Sequence, residues 1–129
     1  MIAVDTNIIV RFLTRDDAAQ YQKAFVIFNT KDIFISTTVI LETEWVLRFA
    51  YKFSVQNICR ALTNLLGLNN VYFTDKNAVA QAIEWHKTGM DFADALHLTQ
   101  LTHCEKLYTF DKRFIAKAKN VISCPVVKP

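Results

Sequence analysis

The sequence contains few of the residues that interrupt regular structure. Only 2 glycines and 2 prolines occur among 129 residues, which argues against a loop-rich β-sandwich and against a low-complexity chain. Hydrophobic residues make up 52% of the chain and charged residues 21%, so the composition excludes intrinsic disorder. Apolar runs joined by short polar segments instead predict a helix-rich or α/β domain.

Cysteine is scarce, and long apolar runs are missing. The cysteines Cys59, Cys104 and Cys124 are odd in number and none are paired as CxxC, so we expect neither a disulfide framework nor a zinc site. No window reaches the apolar length of a membrane span. The N-terminal apolar run ends at Asp5 without a basic segment before it, unlike a signal peptide. We therefore expect a cytoplasmic protein that makes no membrane contact.

Neither sign of charge is in large excess, because 15 basic and 12 acidic residues give a net charge of +3. This balance permits a polyanionic partner without demanding one. Residues 105–119 are more biased, since two acids stand there against Lys106, Lys112, Arg113, Lys117 and Lys119. Both a solvated helix face and a phosphate-facing patch remain open for this segment.

Hydrophobic patterning predicts short strands that alternate with helices. Strands are expected at 1–4, 33–35, 71–73, 107–110 and 121–122. Helix caps are expected at Thr6 or Asn7, at one of Ser36, Thr37 and Thr38, and at Asp75. Further helices are expected to begin at Asp16 or Asp17, at Ser54, at Asp91 and after Asp111. Gly67 is expected to end a helix in the left-handed conformation. This order implies βαβ units, a parallel sheet and helices on both of its faces.

Two aspartates directly follow predicted strands. Ligands of parallel sheets bind outside the carboxyl ends of the strands, and Asp5 and Asp111 occupy such positions after the first and fourth strands. Aspartate is also a favoured helix cap, so capping alone accounts for either residue taken singly.

Two further acids lie in largely apolar helices. Glu42 belongs to a segment that also contains Glu44, and of the two Glu44 is expected at the surface, although periodicity does not decide between them. Asp94 lies one turn after Asp91 on the same helix face. Asp91 is explained as the cap of that helix, whereas Asp94 is either a solvated acid or part of a site.

A common pocket for Asp5, Glu42, Asp94 and Asp111 would have to hold protons or bind a cation. Two carboxylates about 5 Å apart repel by roughly 3 kcal/mol at an effective dielectric near 20. Hard oxygen ligands favour Mg²⁺ or Mn²⁺, and such an ion can activate water and neutralise a phosphodiester. This is the chemistry of metal-dependent nucleases.

Four segments resemble the PIN-domain ribonucleases, specifically the VapC-type toxins of toxin–antitoxin pairs. Ile2-Ala3-Val4-Asp5-Thr6-Asn7 is similar to the opening strand and D-T/S-N signature of the family, and Glu42 falls where the family has its helix glutamate. Asp94-Ala95-Leu96 is similar to the D-A-hydrophobic motif, and Thr109-Phe110-Asp111-Lys112-Arg113-Phe114 to T-x-D-x-x-F. The motifs occur in the family's order across essentially the whole chain.

The resemblance implies a single PIN domain over residues 1–129, a three-layer α/β/α sandwich around a short parallel sheet. It further implies an Mg²⁺- or Mn²⁺-dependent endoribonuclease that hydrolyses RNA with a metal-activated water. The implied catalytic and metal-binding residues are Asp5, Glu42, Asp94 and Asp111. The implied supporting residues, which hold those carboxylates in place, are Thr6, Asn7, Thr109 and Asp91.

Partners follow from the same resemblance. The implied partners are an RNA substrate, a VapB-like antitoxin and a second copy of the chain, and Phe12, Tyr21, Phe25 and Phe28 form an apolar stripe that suits protein contacts. The candidates for contacts with RNA phosphates are Arg11, Arg15, Arg48, Lys112 and Arg113. His97, one turn after Asp94, departs from the small residues usual in the family there and receives no role.

Two other functions compete with this interpretation. A phosphatase with Asp5 as its nucleophile would need a second aspartate two residues later, where Asn7 stands. A PIN-like module without catalytic activity would bind RNA or protein, but the intact set of four acids argues against that loss.

Overall fold

A computed structural model describes residues 1–121 and 123–129. Within them, seven helices and five strands form two compact units, Met1–Lys76 and Asn77–Pro129. The helices are α1 (Thr6–Thr14), α2 (Ala18–Thr30), α3 (Thr37–Phe49), α4 (Val55–Leu66), α5 (Lys76–Lys87), α6 (Phe92–Thr99) and α7 (Lys112–Ala118). The strands are β1 (Ile2–Ala3), β2 (Ile33–Ile35), β3 (Val71–Phe73), β4 (Leu107–Tyr108) and β5 (Val126–Val127).

The first unit is built on a parallel sheet with strand order β1-β2-β3. Ile33 pairs with Ile2 on one side and with Val71 on the other. Ile33 and Ile35 are fully buried, as the β-branched residues of a central strand usually are. Two helices connect each strand to the next, so Asp5 and Ser36 follow neighbouring strands at the same edge of the sheet.

A side chain caps the N-terminus of each of the helices α1 to α4. The side chains of Asp5, Asp17, Ser36 and Ser54 each accept a hydrogen bond from the backbone N–H three residues later, which satisfies a donor that the helix leaves open. The prediction that Thr6 or Asn7 caps α1 is wrong. Asp5 is the last extended residue, and the Thr6 side chain is buried instead.

The second unit contains α5, α6 and α7 and the parallel pair of β4 and β5. Phe92, Ala95 and Leu98 are buried at helical spacing on α6. The predicted last strand at 121–122 is wrong as far as it is described, because Val121 lies outside any strand; Ile122 lies outside the described residues. The Leu107 N–H donates to Pro125 O at 2.7 Å, so the partner strand begins farther along the chain.

Gly67 does not adopt the predicted left-handed conformation. Its φ is −78°, and its N–H donates to the carbonyls of Thr63 and Asn64, which closes the end of α4 without a positive φ. Positive φ occurs instead at Arg15, Lys52 and Gly89. At Gly89, with φ 111°, a side chain would be strained.

The prediction of a helix-rich α/β fold with short parallel strands is confirmed. The strands are divided between a three-stranded and a two-stranded sheet in the described part of the chain. Within the same residues, no helix has the length and apolar character needed to cross a membrane.

Candidate active site

Asp5 lies where β1 passes into α1. Its Oδ1 accepts the Ile8 N–H at 3.2 Å, and its side chain is exposed. Asp5 also lines a cavity of about 620 Å³ together with Asn7, Arg11 and Gln20. The carboxylate is therefore held by the helix N-terminus while it faces an open space large enough for a substrate group.

Thr6 links this region to α3. Its buried hydroxyl donates a hydrogen bond to Glu42 Oε1, across 36 positions of sequence. Glu42 is otherwise exposed. One oxygen of Glu42 is thus fixed by a neutral donor, which leaves its second oxygen for another partner.

Glu44 is the buried acid of α3, contrary to the expectation that it lies at the surface. Its side chain has no exposed area, and Arg48 Nε lies 2.9 Å from its Oε2 while Arg48 Nη2 donates to Oε1 at 3.1 Å. Two residues correspond to about 200° around a helix, so Glu42 and Glu44 point in nearly opposite directions. Burial of Glu44 is tolerated because the guanidinium neutralises it.

The ion pair with Glu44 holds the Arg48 side chain in place. Its guanidinium contacts Glu44 and also lies 4.6 Å from the ring centroid of Phe49. These contacts occupy the side chain, so Arg48 is a poor candidate for an RNA phosphate. The i,i+4 spacing of Glu44 and Arg48 was the sequence signal for the pair.

Arg11 belongs to a polar cluster that the sequence did not reveal. Its Nη1 donates to Tyr51 Oη at 2.8 Å and lies 3.1 Å from Asp16 Oδ1, while its Nε donates to Gln20 Oε1 at 2.7 Å. Tyr51 Oη donates to Asp16 Oδ2 at 2.6 Å. Hydrogen bonds from Tyr51 and Thr14 hold the pKa of Asp16 below its usual value. Tyr51 lies 35 positions from Asp16, so no local pattern could indicate this contact.

Three carboxylates collect in the second unit. Asp91 caps α6 through the Asp94 N–H at 3.3 Å, and Asp111 caps α7 through the Phe114 N–H at 3.0 Å. Thr109 Oγ1 accepts the Asp111 N–H at 3.0 Å, which orients the backbone that carries Asp111. Capping therefore positions two of these acids, whereas Asp94 lies inside α6.

Asp94 is a half-buried acid of α6. Burial raises its pKa most, and the negative charges of Asp91 and Asp111 raise it further. His97 acts in the opposite direction. A carboxylate with this environment gains from a nearby cation.

The remaining basic candidates are exposed. Arg15 lies 4.9 Å from the Tyr21 ring centroid, and Lys112 and Arg113 begin α7 directly after Asp111. These side chains are accessible to a polyanion.

The donors present are carboxylates, which suit a hard divalent ion. Burial of Asp94 and its repulsion by Asp91 and Asp111 are the features that such an ion would relieve. Across residues 1–121 and 123–129, however, no group of three or more His, Cys, Asp or Glu side chains is arranged to hold a metal ion. Metal binding by the predicted four acids therefore stays a prediction.

The chain is similar to a known protein family in sequence and to a solved structure. Among solved structures, the chain is similar to the Mycobacterium tuberculosis toxin VapC20, described as cleaving the sarcin–ricin loop. The identity is 21% and the TM-score 0.44, with 90% of this chain and 94% of that chain covered. No curated protein matches the chain. The family model described as the PIN domain matches residues 2–120, nearly the whole sequence, and the chain therefore belongs to the PIN-domain family.

Proposed function

We propose that the protein is a divalent-metal-dependent endoribonuclease and the toxin of a VapC-type toxin–antitoxin pair. Proteins of the PIN family are nucleases and generally use divalent metals. The observation that carries the proposal is the position of Asp94 in a protein of this family, where burial and then the crowding by Asp91 and Asp111 raise its pKa. Such crowding is typical of a site that gains a cation.

The proposed ligands of Mg²⁺ or Mn²⁺ are Asp5, Glu42, Asp94 and Asp111, directly or through water. When bound, the cation lowers the pKa of water and neutralises charge that develops on an RNA phosphodiester. The Thr6 hydroxyl holds one oxygen of Glu42. The backbone caps at Ile8 and Phe114 each hold one oxygen of Asp5 and Asp111. Each of these carboxylates keeps a second oxygen for the ion.

Supporting roles are proposed for four residues. Thr6 orients Glu42, and Thr109 orients the backbone of Asp111. Asn7 lines the same cavity as Asp5 and is exposed to it. Asp91 adds negative charge beside Asp94.

Arg15, Lys112 and Arg113 are the proposed contacts to RNA phosphates, because they are exposed. Arg11 lines the cavity beside Asp5, although Asp16 and Tyr51 already bind part of its guanidinium. Each phosphate contact should contribute to a salt-dependent affinity.

A protein partner, the antitoxin, is supported by exposed apolar side chains on two helices. On α2, Phe25 and Val26 are 41% and 51% exposed, and on α3, Trp45 and Phe49 are 55% and 46% exposed. Large exposed apolar groups of this kind favour protein contacts. We propose the same class of surface for association of two copies of the chain.

The decisive experiment measures RNA cleavage with Mg²⁺ or Mn²⁺ and with EDTA, for the wild type and Asp94→Asn. Unfolding and refolding the protein first removes a copurified inhibitor. Glu105→Gln, which changes an exposed acid of the same unit, is the matched control. We expect cleavage by the wild type and the control only with metal, and at least a hundredfold loss in Asp94→Asn.

Two other outcomes would redirect the assignment. Cleavage by Asp94→Asn at the wild-type rate would refute the site. If the wild type neither cleaves RNA nor binds Mn²⁺ in calorimetry, the chain is a PIN-like module that binds RNA or protein without catalysis.

A further inference from the structure

Two aromatic side chains project from the segment that leads to Asp111. Along β4 and its continuation, Leu107 and Thr109 are half-buried, whereas Tyr108 is 59% exposed and Phe110 is 78% exposed. This alternation is the period of an extended chain. Thr109 N–H donates to Val127 O at 3.0 Å, so pairing with β5 continues beyond β4 itself. Tyr108 and Phe110 are therefore the two exposed large side chains of this segment, one in β4 and one at the bend that follows it.

Neither ring is explained by packing. A strand with one solvated face ordinarily carries polar residues there, and Phe110 is the most exposed large hydrophobic side chain among the described residues. Phe110 also occupies the variable position of the T-x-D-x-x-F motif. The motif that positions Asp111 thus leaves this residue free to contact something else.

Basic residues flank Tyr108 and Phe110 along the chain. Lys106 Nζ lies 5.7 Å from the Tyr108 ring centroid, and Lys112 and Arg113 follow Asp111 at the start of α7. All three basic side chains are exposed. Exposed aromatic rings interleaved with cations are the combination with which proteins bind single-stranded nucleic acids, because the rings stack on bases and the cations attract phosphates.

The spacing of the rings also suits nucleotides. Residues i and i+2 of an extended chain lie about 6.6 Å apart along the strand, which is close to twice the ~3.4 Å spacing of stacked bases. Each ring can therefore stack on a separate base, or the two can enclose one. A duplex, whose bases are already stacked and paired, offers neither arrangement.

We propose that Tyr108 and Phe110 form a stacking surface for unpaired bases of single-stranded RNA, beside Asp111. The link to cleavage rests on the proposed nuclease function, whereas the binding itself does not.

The experiment measures binding without cleavage. A fluorescently labelled single-stranded RNA of about 12 nucleotides, free of self-complementarity, is titrated with the full chain in EDTA and followed by anisotropy. Phe110→Ala and Tyr108→Ala should each weaken binding about tenfold. Tyr72→Ala, which removes an exposed aromatic from β3, is the matched control and should bind like the wild type.

Further variants distinguish stacking from simple apolarity. Phe110→Trp keeps a ring and should retain the wild-type affinity, whereas Phe110→Leu keeps an apolar side chain and should bind as weakly as Phe110→Ala. A fully paired RNA of the same length should bind with no difference between the wild type and Phe110→Ala.

The outcomes separate this proposal from the nuclease assignment. Unchanged RNA affinity in Phe110→Ala, or no RNA binding by the wild type, would overturn the stacking surface even if the chain cleaves RNA. If Phe110→Ala instead lowers the oligomeric mass in light scattering and leaves RNA affinity unchanged, the surface binds protein and the proposal is wrong. Phe110-dependent binding without metal-dependent cleavage would support the stacking surface and refute the nuclease.

Discussion

Carboxylates are stabilised differently in the two units of the chain. In the first unit, Glu42 accepts a hydroxyl hydrogen bond from Thr6, and the buried Glu44 is neutralised by Arg48. In the second unit, burial and the negative charges of two further carboxylates raise the pKa of Asp94. A hydroxyl donor and a guanidinium thus stabilise the two glutamates of α3, whereas burial and neighbouring acids disfavour the charged form of Asp94.

The largest expected effect comes from breaking the buried pair of the first unit. Arg48→Ala removes this ionic partner from a side chain with no exposed area, so we expect a loss of about 3 kcal/mol in the free energy of unfolding. Urea denaturation measures it. Lys87→Ala, which breaks the exposed pair with Glu84 at 3.0 Å, is the control. Lys87→Ala should lower the free energy of unfolding by at most about 0.5 kcal/mol. Equal losses in the two variants would show that Glu44 is not stabilised by this pair.

A smaller effect is expected from removing the donor to Glu42. Thr6→Val keeps the shape of the side chain but removes the hydroxyl, which should lower RNA cleavage about tenfold because Glu42 loses its orientation. The free energy of unfolding should fall by about 1 kcal/mol. Thr6→Ser restores the hydroxyl and should recover most of the activity. Full activity in Thr6→Val would show that this hydrogen bond does not position Glu42 for catalysis.

The raised pKa of Asp94 should affect the free energy of unfolding of the metal-free protein. Because the folded pKa of Asp94 is raised, the folded state binds more protons than the unfolded state between the usual and raised values. Stability therefore falls as pH rises through that window, and the penalty is complete above it. Asp94→Asn should stabilise the metal-free protein at neutral pH by less than about 1 kcal/mol, because solvent screens these charges.

Thermal unfolding in EDTA and in Mg²⁺ measures this effect. Mg²⁺ should raise the Tm of the wild type and leave that of Asp94→Asn nearly unchanged. If Asp94→Asn is less stable than the wild type in EDTA at neutral pH, the account of repulsion is wrong.

The smallest effect tests the hydrogen bonds around Asp16. Tyr51→Phe removes the hydroxyl that contributes most to the lowered pKa of Asp16, so that pKa should rise toward its usual value. Carboxyl chemical shifts in an NMR titration would record it. A lowered pKa stabilises the fold above the usual value and loses that stabilisation as pH falls, so the wild type should lose more stability in acid than Tyr51→Phe. An unchanged Asp16 pKa in the variant would assign the shift to Thr14 and Arg11.

Local patterns predicted most element types and several helix starts. Asp17, Ser36, Ser54 and Asp91 cap helices as expected, because a capping side chain bonds to the backbone only three residues away. The strand expected at 121–122 does not include Val121, because strand pairing depends on a distant partner. The pairing of Leu107 with Val126 is a contact that neither segment encodes alone.

The sequence by itself determined the α/β class, the positions of Asp5 and Asp111 after strands and the motifs by which the chain resembles PIN domains. These features depend on short-range patterning and on residue identity. Only the tertiary structure decided that Glu44 rather than Glu42 is buried, that Thr6 binds Glu42, and that burial and the charge of Asp111 raise the pKa of Asp94. The physical reason is that burial and charge interactions depend on distances between residues far apart in sequence, and those distances exist only after the chain has folded.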